Sequence, residues 1–388
     1  MTLWVLGGLA LAAFGVWWWQ ASAAAQRQSE RRDVWRRWQA SVTVAASNAE
    51  PAPVPAGDEA PADSTRAATP SRVPPVSLLN TRPVTPEAAA CLVDLSDSLP
   101  RPRAVLTQLL LAGDDPVELA RVVATDTASA ALLLRTVNSA RFHLTRPVSS
   151  VQHAVTYLGA NLVRDMAIRH ALALPAPAHD PAAERANQRL WRIGYLASTI
   201  ALAVARHQRW PSAGALSTQA LLFGLGDIAL LAHHPGLAEL YAPDYGLPAR
   251  VEEIQRRLAL NPAMAAAHLG RVWQLPQELV RGLGASLTPL AGGPQQLAPD
   301  LLAPVTLGYF STGLADVMLR QGSCDPRTAV DTLLGLPHAF FLPEYLAACG
   351  VSGVLDALAQ PAAARRLNAV WASTHATGER DRPEPSPD

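Results

Sequence analysis

Hydrophobic positions along the chain fall into three regimes. Residues 3–19 are apolar without interruption, and an Ala-rich stretch extends that character to Ala25. As a helix rising 1.5 Å per residue, the uninterrupted run alone reaches about 26 Å, and the extension completes a bilayer crossing. Residues 42–86 are rich in Ala, Pro and Ser and poor in large aliphatics. They bury too little apolar surface to offset their ordering entropy, which predicts a disordered tether. From residue 88 to about 373, apolar side chains recur at helical spacing. Residues 377–388 are polar and Pro-rich, and read as a second disordered stretch.

The third regime reads as helix after helix. Pro86-Glu87 opens the first, since Pro suits a first helical turn, and Leu99-Pro100-Arg101-Pro102 breaks it. Residues 103–112 form a short amphipathic helix, and Asp114-Asp115-Pro116 supplies cap and N1 residues for 117–123. Further helices are predicted over 127–138, 151–158, 160–174, 182–209, 217–233, 248–258 and 262–273, then a helical region from Pro299 to about Trp371. Neither an alternating strand pattern nor a phosphate-cradling Gly loop competes.

Charge orients the first segment. No basic side chain precedes the apolar run, Trp17, Trp18 and Trp19 end it as an interfacial belt would, and Arg27, Arg31, Arg32, Arg36 and Arg37 follow. The positive-inside rule places the N-terminus outside and the rest in the cytoplasm. A cleaved signal with Ala21-Ser22-Ala23 at its cleavage site is the competing reading. The missing basic n-region, the length of the run and its bulky end favour an anchor.

The whole chain of 388 residues has a formal net charge of +0 and pI about 7.2, with 49% hydrophobic and only 16% charged residues. No overall basic field exists to hold nucleic acid. The mix favours Ala/Leu-packed helices over sheet. Every basic side chain apart from His is Arg, a feature that points to no chemistry by itself. Cys91, Cys324 and Cys349 are scattered and odd in number, which fits neither a disulfide framework nor metal-ligand spacing.

Several segments, in order, resemble the HDOD domain, a helical relative of the HD-type phosphohydrolases. Leu99-Pro100, with Pro102, Val105, Leu109 and Leu110, looks like that family's "LPxLP" opening. Val122 to Asp126 resembles "I-x-x-D-P", with Thr127 where Pro is usual. Leu133 to Ala140 resembles "LLRLANSA", and Val148 to Gly159 resembles "I-S-S-I-x-x-A-I-x-x-L-G". Leu221 to Ile228 is similar to "AGLLHDIG", and Asn261 to Pro276 to "DHAELGAALLERWGLP". The resemblance covers about Cys91 to Ser286. Within it, Asn138 and Ser139 read as a helix end, with Asn tolerating a left-handed C-cap. Ser149 and Ser150 suit an N-cap, and Gly159 suits a C-terminal glycine.

HD-type enzymes hold divalent metal with His and an adjacent His-Asp pair, and the metal makes a nucleophile of bound water. By the resemblance, Ile193 stands where "W-R-H" has His. Gly226-Asp227 stands where His-Asp would be, and Asn261-Pro262 where Asp-His would be. No paired His occurs at 284–287. Asp227 is the one surviving ligand position, so no metal, no cofactor and no catalytic residue is expected. His233-His234 read as an exposed helix end, and His170 and His268 as structural. Cys91 has no paired His in sight, and no G-x-S-x-G elbow is present.

The expected fold is all-α: an HDOD-like helical domain with a C-terminal helical extension and an N-terminal transmembrane helix. The expected units are an anchor at 1–25 and an Arg-rich segment and linker at 26–86. They continue with the HDOD-like domain at 87–290, a C-terminal helical region at 291–373 and a tail at 374–388. The family resemblance implies bacterial signal transduction through protein contacts. The expected function is therefore a non-enzymatic scaffold at the inner membrane face, with protein partners from a signalling pathway and no nucleic acid. The alternative is a nucleotide or cyclic dinucleotide sensor using the degenerate pocket, with Arg164, Arg169 or Arg192 meeting phosphates. Residual metal-dependent hydrolysis is the third reading. Phe340, Phe341, Leu342 and Tyr345 form an apolar cluster expected to pack in the core.

Overall fold

The computed structural model describes residues 76–79, 84–112, 115–138, 148–172, 174–175, 180–243 and 245–375. The expected anchor, the Arg-rich segment, nearly all of the tether, Ser139 and the last thirteen residues, 376–388, lie outside them. Among the described residues there are helices and no strand, in agreement with the all-α expectation. Residues 76–79 and every helix belong to one unit.

The first helices are α1 (Pro86–Ser98), α2 (Val105–Leu111), α3 (Pro116–Thr125), α4 (Thr127–Val137), α5 (Val151–Leu158) and α6 (Ala160–Leu172). Helices α2 to α6 pack on one another. Their starts follow the cap logic: Asp115 accepts from Val117 N, Asp126 from Ser129 N and Ser150 from His153 N.

Helix α7 (Pro181–His207) is the axis of the fold, and helices from both the motif-bearing part of the chain and the C-terminal region pack against it. Asp180 caps it by accepting from Ala182 N and Ala183 N, and Pro181 fills its first turn. Leu196, Ala197, Ile200, Ala201, Val204 and Ala205 are fully buried along it. Each large aliphatic there contributes about 1.5–3 kcal/mol, and the small residues let neighbours approach closely. At Gly194 an added Cβ would lie 2.8 Å from the Leu221 carbonyl oxygen.

The expected helix over 217–233 is two helices, α8 (Ala213–Leu222) and α9 (Leu225–His233), broken at Phe223-Gly224. The break redirects the chain just before Asp227. A 3-10 turn (Pro235–Tyr241) leads to α10 (Leu247–Leu258), α11 (Pro262–Val272), α12 (Gln277–Gly284) and the short α13 (Thr288–Ala291).

The C-terminal region is α14 (Pro299–Gln321), α15 (Pro326–Leu334), α16 (Leu342–Ala348), α17 (Val354–Ala359) and α18 (Pro361–His375). It does not stand apart: α14, α17 and α18 all pack on α7. Leu342 and Tyr345 are buried as expected, with Tyr345 Oη donating to Gly293 O at 3.0 Å, whereas Phe340 is 44% exposed. The stretches Ala213–His233 and Pro299–Gln321 are long and apolar enough to cross a membrane. Their most apolar windows are 78% and 61% buried inside the fold, as core helices are.

Candidate functional site

The motif residues of the first half hold backbone together. Asn138 ends α4 at φ −86°, not in the left-handed region expected for it. Its side chain instead imitates a backbone pair: Nδ2 donates to Val148 O and Oδ1 accepts from Val148 N, both at 2.7 Å. Ser150 is an N-cap as expected, while Ser149 is exposed. Gly159 takes φ +84° between α5 and α6, a conformation that needs glycine. Asp126 both caps α4 and receives two bonds from Arg103 Nη1, at 2.9 and 2.7 Å. That pair ties the Pro-rich opening to α4.

The positions that would carry HD-type ligands do converge. Ile193 from α7, Asp227 from α9 and Pro262 from α11 line one cavity of about 90 Å³, with Ser286 and Leu287 beside them. The chemistry of the donor set does not fit a divalent metal. Ile and Pro offer no side-chain donor, and Gly226 has no room for one. A Cβ at Gly226 would stand 1.8 Å from the Pro262 carbonyl oxygen. Asn261 is spent as the α11 cap, accepting from Met264 N at 3.0 Å and donating to Gln255 Oε1 at 3.1 Å. Asp227 is engaged as well: Tyr241 Oη donates to its Oδ1 at 3.1 Å, and Arg250 Nε lies 3.5 Å from that oxygen. Burial pushes the Asp227 carboxyl up, and Arg250 and Tyr241 oppose that shift. Among the described residues, no three His, Cys, Asp or Glu side chains are grouped so as to hold a metal.

Part of the cavity wall comes from the C-terminal region, where the sequence carries no family motif. Tyr309, Thr312, Asp316 and Arg320 of α14 line it, together with His338. Asp316 bridges Arg189 Nη2 at 2.7 Å and Arg320 Nη2 at 2.8 Å. Burial lowers the pKa of Arg189, and Arg250 and Arg320 add to the effect against the pull of Asp316. Burial also pushes His338 down to about 4, which leaves it neutral. The arginines at this cavity are therefore Arg189, Arg250 and Arg320. None of the three expected from sequence lines it: Arg164 donates to Ala112 O at 3.2 Å, Arg169 lies over the Trp191 ring at 5.2 Å, and Arg192 is half-buried elsewhere. The sequence does hold a signal for the α14 wall. Residues 309, 312, 316 and 320 recur at helical spacing as a polar stripe on an apolar helix.

His233 is not at an exposed helix end. It docks on α1, with Nε2 2.9 Å from Asp94 Oδ2 and Nδ1 2.8 Å from Ser98 Oγ. Cys91 does have a histidine neighbour, since its Sγ lies 3.9 Å from His234 Nε2. Burial and the Asp94 carboxylate push the Cys91 thiol up, and burial together with His233 pushes His234 down. Both stay neutral, the opposite of an activated thiolate. His268 is pushed down to about 4 by burial, as a structural histidine would be.

The axis helix α7, the start of α9 and the Asn261-capped helix α11 thus meet at one cavity in an all-helical fold. The family model for the HDOD domain matches residues 99–288, and this part of the chain belongs to that family. Among solved structures the chain is similar to a candidate phosphohydrolase from Shewanella amazonensis SB2B (18% identity, TM-score 0.49, covering 74% of this chain and 98% of that one). It is also similar to an HDOD domain protein of unknown function from Geobacter sulfurreducens (15%, 0.47, 72% and 97%). A third is a candidate signal transduction protein from Marinobacter aquaeolei VT8 (20%, 0.47, 75% and 66%). No curated protein matches the chain.

Proposed function

We propose that this HDOD protein is a non-catalytic signalling module that works through protein contacts and is held at a membrane by residues 1–25. The observation that carries the non-catalytic part is the close approach of Gly226 to the Pro262 carbonyl. The backbone of α11 occupies the space that a histidine at position 226 would need. With Ile193 and Pro262 donor-free and Asp227 already hydrogen-bonded, activation of water by a metal has no support in the donor set. Placement at the inner membrane face rests on the apolar run 3–19 and the Arg cluster after it. A tether of this composition lets the domain search tens of ångströms and raises its effective concentration near other membrane-bound partners.

The test is crosslinking and affinity capture of the full chain from its native membrane, against a chain lacking residues 1–25. Specific signalling partners that disappear with the deletion are the expected result. Persistence of the deleted chain in the membrane fraction would count against the anchor. A second reading, a small-ligand sensor, is favoured by the arginine-lined cavity.

A further inference from the structure

The cavity left by the lost metal positions carries more positive than negative charge. Three guanidiniums, of Arg189, Arg250 and Arg320, face two carboxylates, of Asp227 and Asp316. Two helices also begin at its wall. Gly224 and Asp227 belong to the first turn of α9 and its cap, and Leu247 and Arg250 to the first turn of α10. Both helices open on glycine, Gly224 and Gly246, with no side-chain cap. Their first backbone N–H groups add positive dipole ends to the arginines. One unspent donor lies in the same wall: Thr312 Oγ1 is buried without a hydrogen-bond partner, and Arg250 Nε is held only by its 3.5 Å ion pair to Asp227. Apolar residues such as Ile193 and Phe223 complete the lining and lower the local dielectric, which strengthens attraction for a negative group.

We infer that this cavity binds a phosphoryl group, either as inorganic phosphate or as the end of a small phosphomonoester. Arginine forks, threonine hydroxyls and helix N-termini are the donors such a tetrahedral oxyanion takes. A cavity of about 90 Å³ holds several water molecules' worth of space, enough for the oxyanion. The site couples the two halves of the protein, because Arg250 comes from the HDOD domain and Arg320 from the C-terminal region.

This inference rests on the reading of the pocket as non-catalytic. The test is calorimetric titration of the full chain with inorganic phosphate, then with ribose 5-phosphate. Saturable one-site binding of at least one probe is expected. It should weaken about tenfold or more in Arg250→Gln/Arg320→Gln and persist in Arg192→Gln, outside the cavity. If the double variant fails to fold by circular dichroism, the less buried Arg320→Gln alone carries the test. Preference for ribose 5-phosphate identifies a phosphomonoester as the natural class, and equal binding identifies phosphate. No saturable binding of either probe, or unchanged binding in the folded arginine variant, overturns the site. Loss of the site with the chain still metal-free leaves the non-catalytic reading intact. Hydrolysis of the bound ester would instead overturn that reading and leave the site standing.

Discussion

Replacing Gly226 by Ala probes the close contact between α9 and α11 at the cavity. The new Cβ would lie 1.8 Å from the Pro262 carbonyl oxygen, 2.6 Å from its carbon and 2.9 Å from its Cα. All three are backbone atoms in the first turn of α11, where Asn261 caps the helix and Pro262 fixes φ. No side-chain rotation relieves the clash. Reaching ordinary contact at 3.4 Å requires α9 and α11 to part by about 1.6 Å. Overpacking of a tight core costs about 1–3 kcal/mol, and a backbone clash belongs at the top of that range. Ala returns about 1 kcal/mol of helix propensity. The expected net loss is about 2 kcal/mol, a fall in Tm of about 4 °C or more. Gly224→Ala is the control, because a Cβ there meets nothing within 4 Å and the backbone is at φ −87°. Urea unfolding followed by circular dichroism reads both variants. A Gly226→Ala chain as stable as wild type, or as stable as Gly224→Ala, would refute the close packing and with it the steric argument.

Asn138→Ala removes both 2.7 Å bonds to Val148 and leaves backbone groups unmatched. A loss of about 1–3 kcal/mol is expected in the same urea assay, with Asn138→Asp in between because it keeps the acceptor. Asp165 is fully buried, and burial raises its pKa to about 8 against the bonds from Ser198 and the charge of Arg164. Since the folded value lies above the unfolded 3.8, the stability it lends is full below pH about 4. That stability drains away as pH rises towards 8. Asp165→Asn should flatten this slope when unfolding midpoints are compared across that window; parallel slopes would show that Asp165 ionises freely in the fold. Deleting residues 1–25 should move the chain from the membrane pellet to the soluble fraction.

Most helices of the domain are legible in the sequence because their signals are local. Asp115, Asp126 and Ser150 cap where their types and positions imply, and Gly159 sits where a positive φ is required. The α8–α9 break is hidden because Phe223 and Leu225 continue the apolar pattern across Gly224. Asn138 reads as a left-handed cap because its bonding to Val148 crosses ten residues of chain, beyond any helical spacing rule. The same holds for His233 with Asp94 and Cys91 with His234, which meet only when α9 docks on α1. The identity of the lost ligand positions comes from the family motifs, and the structure brings Ile193, Asp227 and Pro262 to one cavity. The arginines that face it cannot be chosen from sequence, since Arg189 and Arg192 lie about one turn apart on the same helix. The fold turns one towards α14 and the other away from the cavity.

Metal content together with turnover decides whether the cavity can act as a hydrolytic centre. The full chain, incubated with Mn²⁺, Fe²⁺ and Zn²⁺ and then desalted, is assayed by elemental analysis and with bis(p-nitrophenyl) phosphate. Metal far below one equivalent per chain and no metal-dependent hydrolysis are the expected results. About one bound ion per chain, with hydrolysis abolished by Asp227→Ala, would contradict the non-catalytic reading.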